Sequence, residues 1–289
     1  MRFLMPFLLF GACLSSCEVI NPDEQEPGYI IIEDYNYQVE INEGSESHKI
    51  TEIWAYANNQ IVGVYDLPAK IPVLTSGNTT MSFFAGIKSN GLSSMRLKYP
   101  FFEGETREMN IQPLKFDTIV PSFGYFDNLL FVEKDFDGNT PTMVSMSGNQ
   151  AEVSMEDNPE FVFEGERCGY YKLESGEVKL LIKDDQNHAL TAGNTVFLEL
   201  DYSCNNMFSI GLISRESGVD NKNLAVIVNP TTEGVGNPIW NKIYIDLGLI
   251  VQTRTGASYF EIYFEANPDN SGDEVELFLD NVKLVQFDN

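Results

Sequence analysis

Residues 273–287 read DEVELFLDNVKLVQF. Val275, Leu277 and Leu279 fall on one parity, and Val282 and Leu284 fall on the other. Successive side chains of a strand point to opposite faces, so a one-residue slip would send the second apolar set outward. One extra residue restores the inward set. The stretch therefore predicts a long strand with a β-bulge around Asp280-Asn281. The segments before it alternate without a slip. In TVFLELDYSC (195–204) Val196, Leu198, Leu200 and Tyr202 oppose Phe197, Glu199 and Asp201. In WNKIYIDLG (240–248) Ile243, Ile245 and Leu247 oppose Tyr244 and Asp246, and in YFEIYFEA (259–266) Phe260, Ile262 and Phe264 oppose Glu261, Tyr263 and Glu265. Period-2 patterning of this kind belongs to sheets with one buried face, so residues 125–289 are expected to form a β-sandwich.

The N-terminal half has the same all-β character. EIWAYA and QIVGVYDLP flank Asn58-Asn59, a pair that supplies the positive φ angles of a two-residue hairpin turn. Pro68 and Pro72 bracket Ala69-Lys70-Ile71. Proline cannot donate to a ladder, so this segment reads as a crossover at a sheet edge. Five to seven short strands across 29–118 fit an immunoglobulin-like or prealbumin-like β-sandwich, roughly the size of the ~100-residue sandwiches. Aromatic residues make up 12% of the chain and no long helical period is present, which agrees with β structure throughout.

The chain opens MRFLMPFLLFGACLSSCEVINPDEQEPGY. The apolar run from Phe3 to Leu14 falls short of the ~20 residues that cross a bilayer. A basic start, a short apolar run and small residues make a secretory signal peptide over 1–16. Leu14-Ser15-Ser16-Cys17 resembles a bacterial lipobox, which would place acyl chains on Cys17 and tie the protein to a membrane. The alternative is cleavage near Ala12 with Cys17 incidental. Residues 17–28 then read as an acidic tether stiffened by Pro22 and Pro27. The segment resembles surface-export signals of Bacteroidetes lipoproteins and reads equally as a plain solvated linker.

The chain carries 43 acidic against 18 basic side chains, a net charge of −25. Nucleic acid needs a basic footprint and is excluded as a partner. The same balance argues against lying flat on anionic lipid and makes calcium sites plausible. Cys168 and Cys204 could form a disulfide in an exported protein or remain as two buried thiols; their spacing fits no CxxC motif. His48 and His188 are expected in exposed loops with no nucleophile nearby, and no zinc or phosphate-loop spacing occurs. An enzyme is therefore not expected. A carboxylate pair for glycoside hydrolysis would be the one remaining route, and among 43 acids no pair stands out.

WNKIYIDLG, FEIYFEA and ELFLDNVKLVQ, in that order at the C-terminus, resemble the closing strands of galactose-binding-like jelly rolls, and FVEKDFDGN resembles their opening strand. The whole chain resembles a group of two-domain Bacteroidetes surface lipoproteins. The resemblance implies a C-terminal jelly roll of the carbohydrate-binding type and an outer-membrane, surface-facing address. It also implies a structural Ca²⁺ between first and last strands, held by Glu133, Asp135 or Asp137, and Asp280. The alternative is that Asp280 caps the bulge through backbone N–H groups. The outward parity of the C-terminal strands mixes aromatics with acids, which suits sugar recognition. Trp240, Tyr244 and Tyr263 are the expected platform, although such rings could equally pack against the N-terminal half. The leading expectation is a lipid-anchored glycan-binding protein, followed by an accessory subunit docked on an outer-membrane protein.

Overall fold

The computed structural model describes residues 24–138, 140–270 and 272–288. The signal peptide, Cys17 and most of the tether lie outside the described residues. The N-terminal strands are β1 (Gly28–Ile32), β2 (Asn36–Tyr37), β3 (Glu52–Ala57), β4 (Gln60–Asp66), β5 (Ala69–Val73), β6 (Gly77–Lys88), β7 (Arg96–Lys98), β8 (Glu105–Ile111), β9 (Phe116–Thr118) and β10 (Ser122–Phe123). They form a sheet of order β5-β1-β9, a second of order β4-β3-β6-β7 with β8 also on β6, and a small β10-β2 pair. Asn58 and Asn59 both have positive φ at the β3–β4 turn, as the hairpin requires. Ile53, Ala55 and Ala57 face the core, while β5 leaves that hairpin to pair with β1 at a sheet edge, where Pro72 needs no N–H.

The C-terminal strands are β11 (Leu129–Lys134), β12 (Met143–Ser145), β13 (Glu152–Glu156), β14 (Cys168–Leu173), β15 (Leu180–Asp184), β16 (Val196–Cys204), β17 (Phe208–Glu216), β18 (Val219–Val228), β19 (Asn241–Asp246), β20 (Ala257–Ala266) and β21 (Val275–Phe287). One short helix, α1 (Gly248–Thr253), follows β19. One sheet runs β13-β14-β21-β16-β19, with β11 also on β21, and faces a second of order β12-β15-β20-β17-β18. This is the jelly-roll sandwich. Its core takes Val196, Leu198, Leu200 and Tyr202 from β16, Ile243 and Ile245 from β19, and Phe260, Ile262 and Phe264 from β20. The bulge forms where the slip predicts it. The β16–β21 register shifts between Glu199 and Asp201, Asn281 takes φ 47°, and Val282 and Leu284 return to the same core as Leu277 and Leu279.

The outer face of the sheet that contains β16 is not open to solvent at that strand. Every residue of β16 is buried, on both faces. Phe197, Tyr244 and Val285 project outward into the core built by the N-terminal strands, beside Tyr99, Phe101, Phe102 and Tyr125. Tyr99 packs at 4.9 Å on Tyr244 with the rings tilted by 58°, and lies edge-on to Phe197. The β6–β7 loop also covers the free edge of β19: Asn90 N donates to Tyr244 O at 2.7 Å, and Asp246 N donates to Asn90 Oδ1 at 3.0 Å.

A polar knot sits inside this contact. Glu199 is 0% exposed, and its Oε1 accepts from Tyr99 OH at 2.5 Å and Tyr125 OH at 2.8 Å. Lys242 Nζ lies 3.8 Å from the other oxygen, and buried Lys283 lies over the Tyr125 ring. A hydrogen bond to a charged partner contributes about 1.5–3 kcal/mol. Tyr99→Phe keeps the ring and removes the donor, so it is expected to lower stability by about that range, read from the urea midpoint. An unchanged midpoint would mean that the Tyr99 hydroxyl does not hold the Glu199 carboxylate.

Candidate functional site

The register orders the outer face of the β16 sheet into rows. Glu199 faces Lys283, Asp201 faces Asp280, and Ser203 faces Phe278 across β21; on the other side Glu199 faces Tyr244 and Asp201 faces Lys242. Trp240, two residues before Lys242, comes level with Ser203, whose Oγ accepts from Ile239 N at 3.0 Å. The face thus passes from a row covered by the N-terminal strands, through a charged row, to an aromatic row.

The acids expected to hold calcium lie at and beside the charged row. Glu133, Asp135 and Asp137 line one shallow cleft with Glu164 and Asn281, and Asp280 lies beneath it. Their oxygens converge on backbone N–H groups rather than on a common point. Glu133 accepts from Ser45 N at 3.1 Å, Asp135 from Asp137 N at 3.2 Å, and Asp137 from Glu166 N at 2.6 Å and Arg167 N at 3.1 Å. Asp280 accepts from Asn281 N at 2.9 Å and Glu164 N at 3.2 Å. Among the described residues no three His, Cys, Asp or Glu side chains are grouped to hold a metal ion. The two N–H bonds of Asp280 cap the bulge at Asn281.

Asp201 and Asp280, side by side across two strands, form a carboxylate pair, but both are buried, 1% and 0% exposed, under Ser47 and Asn281. They do not line a cleft where a glycosidic bond could sit between them. Burial, opposed by the two backbone N–H bonds and reinforced by Asp201 and Glu164, pushes the Asp280 carboxyl up to about 8.

The expected sugar platform divides. Tyr244 is 2% exposed, with its ring against Tyr99 and its OH accepting from Lys49 N at 2.9 Å, so it offers no ring face to a ligand. Tyr263, 3% exposed, lies on the opposite sheet over Gly211, packed with Leu181 and Ile213. Both corrections have one cause: outward parity fixes a direction, not what waits there. Trp240 alone remains at the surface. It is half-buried, its Nε1 donates to Phe161 O at 3.1 Å, and its ring meets Phe163 at 5.5 Å and Phe278 at 6.3 Å. Phe163, from the loop after β13, is 40% exposed, and Ile239 beside Trp240 is also exposed. Parity along β19 could not reveal Phe163, because the loop brings it from 77 positions away.

Of the two readings of the cysteines the structure has the thiols, and the histidines depart from the expected exposed loops. Cys168 and Cys204 are free buried thiols on strands separated by β21. Cys204 enters the jelly-roll core, while Cys168 contacts Phe161 O on the outer side, so the sheet lies between them. Burial raises both thiols, Cys204 to about 12. His188 is buried, hydrogen-bonded to Asp184, and pairs with the Phe260 backbone rather than standing at a loop tip. His48 is half-buried against Tyr35 and Tyr37.

The most enclosed cleft of those described lies at the β19 edge. It is bounded by the β6–β7 loop, Lys49, Thr51 and the turn after β18, and has a volume of about 260 Å³.

No family model matches the chain, and no curated protein matches it. Among solved structures, it is similar to a mutant carbohydrate binding module of family 29 at 12% identity and TM-score 0.34, covering 54% of this chain and 92% of that one. A carbohydrate binding module family 29 structure matches at 13% identity and TM-score 0.34, covering 54% and 88%. A further mutant of that family, complexed with mannohexaose, matches at 12% identity and TM-score 0.34, covering 54% and 90%. Likeness of fold does not carry function.

The raised carboxyl predicts a pH effect. Folding takes up a proton at Asp280 between the unfolded value near 4 and the folded value of about 8. Its contribution to stability is fully present below pH ~4 and is lost as pH rises through about 8. Asp280→Asn is expected to flatten the decline of the urea midpoint across that window; an unchanged slope would place the titration elsewhere.

Proposed function

We propose that this chain is a lipid-anchored, non-catalytic surface protein that binds a glycan or polysaccharide through its C-terminal sandwich. The observation that carries the reading is the Phe163–Trp240 pair. Two partly exposed rings, tilted at 53° and backed by Phe161 and Phe278, form a rigid apolar step on an otherwise acidic surface. The Nε1 bond to Phe161 O fixes the Trp240 ring before any ligand arrives. Apolar ring faces beside polar groups are what sugars require, and a fixed ring lowers the ordering cost of binding. The anchor is the lipidated Cys17, with residues 18–28 as the tether, and the address is the outer surface of a Bacteroidetes outer membrane.

A second reading has its own observation. β18 ends its sheet, and Val219, Leu224 and Ile227 along it are more than half exposed. An unpaired edge with exposed apolar side chains suits docking to a protein partner in the outer membrane.

A glycan array separates the two. Binding that falls at least tenfold in both Trp240→Ala and Phe163→Ala, with unchanged melting, is the expected result. Failure of the folded chain to bind any glycan, together with crosslinks from β18 to a membrane protein, would transfer the function to docking. For the anchor, Cys17→Ala is expected to move the protein from the membrane to the soluble fraction; retention in the membrane would overturn lipidation.

A further inference from the structure

The cleft at the β19 edge runs against the charge of the chain. Lys49, Lys88 and Lys242 line it, and none of its lining residues is Asp or Glu, in a sequence with 43 acidic side chains and 18 basic ones. Lys242 is already neutralised by Asp201 at 3.5 Å and Glu199 at 3.8 Å. The other two are not. Lys49 Nζ donates to the Asn241 amide oxygen, and among the described residues neither Lys49 nor Lys88 has a carboxylate within ion-pair distance. Burial, then the nearby Lys88 charge, lowers the Lys49 ammonium.

One lining residue also has a polar atom without a partner: Thr51 Oγ1 is buried with no hydrogen bond. The walls are held in place. Asn90 is clamped to β19 through both its backbone and its side chain, and Lys49 N is fixed on Tyr244 OH. Two ammonium groups with no carboxylate at ion-pair distance, Lys88 acting on buried Glu52 only from farther off, and an idle hydroxyl on a rigid frame form a preorganised anion receptor. At about 260 Å³ the cleft is below the ~300–1,000 Å³ of larger ligand sites and suits a single charged residue rather than a chain. Lys242 lies two residues along the strand from Trp240, a step of about 7 Å on the same face.

We propose that the cleft between the β6–β7 loop and β19 binds an anionic oxygen group, carboxylate or sulfate, carried by an acidic saccharide. The proposal rests on the glycan reading and narrows it to a class: a sugar stacked at Trp240 and Phe163 extends its charged neighbour toward Lys49 and Lys88.

The test is calorimetric titration of the full chain with an oligogalacturonide, with its fully methyl-esterified neutral counterpart, and with inorganic sulfate. The acidic sugar is expected to bind at least tenfold more tightly than the neutral one and to compete with sulfate. Lys49→Ala and Lys88→Ala should each weaken it at least fivefold with unchanged melting, and Lys88→Arg should retain most of the affinity. Equal binding of acid and ester, indifferent to Lys88→Ala, would overturn the cleft and leave the glycan reading intact. Lysine-dependent binding of sulfate with no gain from the sugar would keep an anion cleft and overturn the saccharide. Absence of binding by all three probes would overturn the proposal.

Discussion

The buried carboxylate of Glu199 sets the terms for the rest of the molecule. It projects from the outer face of a jelly-roll sheet, where water would normally solvate it, and here it receives two tyrosine hydroxyls from connecting segments 74 and 100 positions earlier. A buried carboxylate is tolerated only when paired and hydrogen-bonded. Tyr99, Tyr125 and Lys242 are therefore requirements of its burial, and they require the N-terminal sheets to sit on this face. The aromatic contacts of Tyr99 with Phe197 and Tyr244 supply apolar burial around the knot. Removing one member would leave the others desolvated without compensation, which is costlier than the pair itself is worth.

This contact determines what remains available for recognition. Covering the rows of Phe197 and Glu199 consumes Tyr244 and leaves exposed only what lies beyond the charged row. The bulge at Asn281 turns β21 there, and Asp280 uses both oxygens on backbone N–H groups of the bulge and of the loop that delivers Phe163. The same carboxylate thus holds both the strand irregularity and the start of the aromatic step. At the other side of β19, the β6–β7 loop closes the sheet edge and creates the cleft with the same bonds. Both candidate surfaces are consequences of how the face is covered.

Much of the fold is legible in the sequence because local rules dominate there. The parity break at Asp280-Asn281 gives the bulge, Asn58-Asn59 gives the hairpin, and alternation gives the core sets of β16, β19 and β20. The site is less legible. Tyr244 on β19 and Trp240 just before it share a parity, yet one is sealed under Tyr99 and the other is half-exposed. Tyr263 has the same outward parity on a different sheet. The Asp184–His188 pair is local in sequence, but its burial depends on β20, more than 70 positions on. Cys168 and Cys204 fall on opposite sides of a sheet whose strand order no spacing discloses. In each case the deciding contact is long-range, and periodicity carries no information about it.

Charge adds a last constraint. At −25 the chain as a whole repels anions, while the β19 cleft, free of carboxylates, attracts them at short range. These two effects have different reach. At physiological ionic strength the Debye length is about 8 Å, so repulsion from distant carboxylates is largely screened while contact with Lys49 and Lys88 is not. Added salt up to that level should then assist the approach of an acidic ligand before it weakens the bound state, the reverse of the usual steering of opposite charges. An acidic surface and a basic cleft are compatible because selectivity is set at contact distance, where the ligand meets Lys49 and Lys88 and the remote carboxylates are screened.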